Sequence, residues 1–161
     1  MGTDAYNFLL HLHSVIRWVI LLLLLVAIFN SLVAGNRPFI RSDARTGSIL
    51  VIFADLTLLI GLALYFFNAR GLGYHSFDHA SFSAVMKDKD HPLTRFFAIE
   101  HIAGMFIAII FLHIGKAQGR KAISDKAKHR RTLVFYLLAL LIILISIPWP
   151  FRQIGEHSHW Y

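Results

Sequence analysis

Four long apolar stretches, residues 9–33, 49–67, 96–112 and 133–147, decide what this chain can become. The first exceeds, and the others are near or somewhat below, the ~20 residues that cross a hydrocarbon core. Arg95, His113 and Trp149 can sit at the interfaces and lengthen the two shorter runs. No water reaches backbone groups inside a bilayer, so segments of this length are expected to be α-helical. The expectation is an all-α integral membrane protein: one domain, residues 1–161, built as an up-down-up-down four-helix bundle.

Composition agrees, since 57% of the 161 residues are hydrophobic and only 16% charged, too apolar for an ordinary soluble domain. The first run has Asp4 and no Lys or Arg ahead of it and exceeds a signal-peptide core, so it is expected to be retained. Absence of cysteine excludes disulfides, thiolate metal sites, iron–sulfur clusters and thioether-linked haem. The formal charge of +7 does not point to nucleic acid, because the Lys and Arg lie in short loops beside apolar runs. No Gly-rich phosphate loop, nucleophile elbow or His-Glu-x-x-His motif is present.

The loop basicity gives an orientation. Residues 35–45 carry Arg37, Arg41 and Arg45; residues 116–131 carry Lys116, Arg120, Lys121, Lys126, Lys128, Arg130 and Arg131. By the positive-inside rule both loops are expected in the cytoplasm, with both termini outside. The middle connection, 68–92, mixes charges, contains Gly71 and Gly73, and has room for a short surface helix around 81–87. The sequence Ile147-Pro148-Trp149-Pro150 is expected to end the fourth helix, since proline disfavours helix in the residue before it.

Within the spans lie ionisable groups, which are costly at depth and count as functional candidates. At ~1.5 Å of rise per residue, His13 lies two turns into the first helix and Arg17 a turn deeper on the same face. Asp55 falls near the middle of the second helix, at a depth where it could neutralise Arg17 as a buried polar pair. Glu100 and His101 lie one to two turns into the third. His13 and His101, at matching depth on different helices, are what a b-type haem needs for axial ligation without a covalent tether. In this reading Gly104 leaves room for a flat macrocycle, Arg17 balances a propionate or Asp55, and Glu100 orients His101 or relays a proton. Weaker candidates are His113 and His129 for a second, inner haem. His101 and His113 are twelve residues apart, however, and so about 120° apart around the helix. His75, Asp78 and His79 in the middle connection, with His157 and His159 in the tail, are candidates for a divalent metal.

The segments His13-Ser14-Val15-Ile16-Arg17-Trp18, residues 58–66, Arg95-Phe96-Phe97-Ala98-Ile99-Glu100-His101 and Ile147-Pro148-Trp149-Pro150 together resemble a family. It is that of the small four-helix membrane proteins of Bacteroidota-type bacteria, often labelled cytochrome b-like. The family pattern has a histidine where this chain has Asp55 and another at the position of His129; the second is met and the first is not. The departure counts against ligation through the second helix and leaves His13 with His101 untouched. The expected function is a haem protein of the bacterial inner membrane that passes electrons between the quinol pool and a partner on the outer side. An electron carrier, or a subunit of an oxidoreductase complex, is favoured over a stand-alone enzyme. The alternatives are a non-catalytic accessory subunit of a larger respiratory or transport complex, and an outer-face metal-binding protein.

Overall fold

The structure is a computed structural model that describes residues 3–67, 73–77, 80–88 and 92–151. The described residues are all-helical, without strands. Helix α1 spans Thr3–Leu32 and α2 spans Arg41–Phe66. Between them Gly35 takes a left-handed conformation at φ 55°, as a residue without Cβ readily does. Arg37 then forks onto both oxygens of Asp43, each bond 2.7 Å, and Asp43 also accepts the Ile40 N–H at 3.0 Å. This bidentate pair fixes the entry to α2 and holds the Arg37 proton more tightly than usual.

A short 3₁₀ turn, Gly73–Phe77, precedes α3, Phe82–Lys87, whose N-cap Ser81 accepts the Ala84 N–H at 3.3 Å. The expected surface helix is therefore present one residue shorter. Helix α4, Pro92–Arg95, runs without a break through a π-helical turn, Phe96–Glu100, into α5, His101–Gln118. Helix α6, Asp125–Ser146, starts at Ser124, which caps Ala127 N–H at 3.3 Å, and ends where Ile147 turns extended ahead of Pro148.

The four long helices form a closed ring of neighbours: α1 packs on α2 and α6, and α5 packs on α2 and α6. At the centre Leu24, Leu50, Ala108, Leu112 and Ala139 are fully buried. The outside is no less apolar, with Leu22, Ile52, Leu59, Ile110 and Ile145 exposed. An outer surface this apolar fits contact with a lipid bilayer. Four helical segments, Asp4–Leu32, Arg41–Phe66, Pro92–Gln118 and Asp125–Ser146, are long and apolar enough to cross a membrane.

Candidate functional site: paired imidazoles between α1 and α5

The His13 and His101 rings come together edge to face, with centroids 6.3 Å apart and planes at 64°. Each ring is seated by a different neighbouring helix. His101 Nδ1 lies 2.8 Å from the carbonyl oxygen of Ser146 at the end of α6. That carbonyl is free for a local reason. In a continuing helix it would accept the N–H of residue 150, which is a proline and has none. Pro148 frees Leu144 in the same way, and Trp149 Nε1 fills that vacancy at 2.7 Å. Because a carbonyl can only accept, His101 donates from Nδ1, and in the neutral ring Nε2 keeps its lone pair. This is how a ligating histidine is usually oriented from behind.

His13 rests on α2 at Gly61. A Cβ there would come within 3.3 Å of His13 Cε1 and 3.7 Å of Nδ1, so the missing side chain is what admits the ring. His13 Nδ1 and the Thr57 hydroxyl, one turn before Gly61, are both buried and make no hydrogen bond among the described residues, while the His13 ring lies within hydrogen-bonding reach of the Thr57 backbone. Phe96 and Phe97 flank the His101 ring at centroid distances of 5.8 and 6.0 Å. Arg17, within electrostatic reach of both imidazoles, lays its guanidinium 5.4 Å from the Trp18 ring centre. Trp18 in turn meets Trp149 at 6.4 Å.

The π-turn immediately before His101 changes what its neighbours do. The His101 N–H bonds the Phe96 carbonyl five residues back, which widens the turn. Positions five apart then come into line, and Arg95 Nε donates to Glu100 Oε1 at 2.7 Å, with the Glu100 side chain 40% exposed. Glu100 therefore does not orient His101; the Ser146 carbonyl has that place.

Two further expectations are corrected. The cleft at Gly104 is filled, because a Cβ there would collide with the Ser146 hydroxyl and lie 3.2 Å from Ser146 Cβ. Gly104 thus lets α5 approach α6 closely and leaves no room for a macrocycle on that side. Asp55 does not form a buried pair with Arg17: its Oδ1 lies 2.9 Å from His113 Nε2, and the two side chains are 47% and 49% exposed. The physical reason is angular. Depth along the helix matches Arg17, but Asp55 is about 120° around α2 from Gly61, which faces His13.

His113 and His129 are not brought together as a second ligand pair. His113 is taken up by Asp55, while His129 is buried under Phe39, ring centroids 5.1 Å apart. Neither His129 nitrogen has a hydrogen-bond partner among the described residues. His75 Nε2 lies 3.0 Å from the Phe66 carbonyl, and Asp78, His79, His157 and His159 lie outside the described residues. Among the described residues no three His, Asp or Glu side chains converge as a metal site. The fold and site thus define a four-helix apolar bundle holding an imidazole pair, with one ring fixed in a known tautomer. No protein-family model matches the chain, and no solved structure matches it.

Proposed function

We propose that the protein is a b-type haem protein of the bacterial inner membrane, in which His13 and His101 hold one haem b as axial ligands. Four helices cross the bilayer up-down-up-down, with both termini on the outer side and the basic loops in the cytoplasm. Antiparallel neighbours are supported by side-chain contacts: His101 near the start of α5 bonds Ser146 at the end of α6, and Thr132 near the start of α6 donates to Gly115 near the end of α5. The orientation follows the Lys and Arg bias of the loops.

The observation that carries the reading is the spacing of the two rings together with the fixed tautomer of His101. The two rings reach one another from different helices, with centroids 6.3 Å apart, and His13 and His101 would be the residues that hold the group. His13 supplies a buried Nδ1 without a hydrogen-bond partner among the described residues, and Gly61 makes space beside its ring. Neither Glu100 nor Asp55 is turned to the pair, while Arg17 adds positive potential suited to a propionate.

When bound, a haem with two nitrogen ligands supplies one-electron exchange, with its potential set by ligand, hydrogen bonding and burial. The chain's own part is to hold His101 through Ser146, to keep His13 against Gly61, and to exclude water with Phe96, Phe97 and the Trp18–Trp149 pair. Electrons would pass between the quinol pool and a partner on the outer side, the side nearer the pair in this orientation. The test is haem content: His13→Ala and His101→Ala should each abolish or convert the haem spectrum, whereas His113→Ala and His75→Ala should retain it. Full retention in either of the first two variants overturns the ligand assignment.

A further inference from the structure

Asp55 and His113 face the other way from the imidazole pair. His13 and His101 turn inward, whereas Asp55, at the middle of α2, and His113, one residue past the apolar run of α5, are about half exposed on the outside of the bundle. Around them the surface is apolar: Ile52 and Leu59 lie within about one turn of Asp55, and Ile110 lies about one turn before His113. Acyl chains offer neither donor nor acceptor, and ionisable groups in membrane spans almost always face protein or a water-filled cavity.

The pair is also self-complementary. One carboxylate oxygen and one imidazole nitrogen are used between Asp55 and His113, which leaves each half-exposed side chain a second polar atom outside that bond. A twofold axis along the membrane normal would bring a second, identical patch to the same depth, with acid opposite base. The His113 ring of one chain would then lie opposite the Asp55 carboxylate of the other, which is the reciprocal pattern of an isologous interface.

We infer that the α2–α5 face is a dimer interface, closed by a second copy of this chain through a four-membered Asp55–His113 network. The inference does not depend on haem. Because the chain has no cysteine, single-cysteine variants give a clean test in native membranes. Oxidation should yield covalent dimers from at least one of Ile52→Cys, Leu59→Cys and Ile110→Cys, but not from Leu22→Cys on α1. Native mass spectrometry of the wild type in lipid nanodiscs should show two chains, and Asp55→Asn should raise the dissociation constant at least tenfold on dilution into lipid. Should that variant fail to fold, the cross-links and the wild-type mass decide alone. A monomeric wild type, or a dimer that cross-links through α1 and not through this face, overturns the inference.

Discussion

Tyr136 offers a quantitative check on how the bundle closes. Its ring is 2% exposed and is gripped by two glycines on different helices. A Cβ at Gly115 would sit 2.6 Å from the ring carbon Cδ1, and a Cβ at Gly47 would sit 2.6 Å from the hydroxyl oxygen. At Gly47 the next atoms, Cβ and Cγ of Lys116, are 3.9 Å away, so the hydroxyl alone is in the way. Gly47→Ala gains about 1 kcal/mol of helix propensity. Overpacking against a buried group costs typically ~1–3 kcal/mol. The single variant should thus be destabilised by roughly 0–2 kcal/mol. In a Tyr136→Phe background the obstructing oxygen is gone, and Gly47→Ala should be neutral or stabilising by up to about 1 kcal/mol. The coupling between the two changes is therefore expected near 1–3 kcal/mol, well above the ~0.3–0.5 kcal/mol within which independent sites add. Denaturation by sodium dodecyl sulfate in mixed micelles measures all four corners of the cycle. Equal effects of Gly47→Ala in both backgrounds would refute the contact and with it the three-helix junction of α2, α5 and α6.

Three further outcomes follow from the site and the loops. Gly61→Leu should drive the His13 ring off α2 and lower haem retention while helix content, read by circular dichroism, stays the same; full retention would remove Gly61 from the site. Pro150→Ala restores an N–H that can compete for the Ser146 carbonyl, so haem affinity should fall roughly 10–100-fold, the range seen when the group behind a ligating histidine is lost. Unchanged retention on dilution would show that the Ser146 contact does not hold His101. Lys121→Cys, introduced into a chain without cysteine, should react with a membrane-impermeant maleimide only after the cytoplasmic side is opened; labelling of intact cells would invert the topology.

The long elements were legible because their causes are local: apolar length set four helices, Ser81 set the start of α3, and Pro148 set the end of α6. Depth was legible too, since a fixed rise per residue places His13 and His101 at one level. What the sequence did not disclose was angle and register. Asp55 has the depth of Arg17 but the wrong azimuth, and it meets His113 instead. The π-turn adds a residue to the helical register just before His101, so Glu100 lines up with Arg95 where regular α-helical spacing would have separated them. Gly104, expected to clear a face for a macrocycle, admits α6 for the same reason, since which face of a helix meets a neighbour is fixed by packing across the whole bundle. One signal could have been found. Pro148 and Pro150 each remove the N–H that a carbonyl four residues earlier would have bonded, and those two carbonyls, Leu144 and Ser146, are the ones that take Trp149 and His101.

The most direct measurement of the account is the optical spectrum of the wild-type protein purified from haem-replete cells, oxidised and then reduced with dithionite. Two imidazoles on one iron predict a sharp Soret band and, on reduction, the split visible bands of a six-coordinate low-spin haem, at one haem per chain. A folded, helical protein that is colourless, or a haem whose spectrum is unchanged when both His13 and His101 are replaced by alanine, would contradict it.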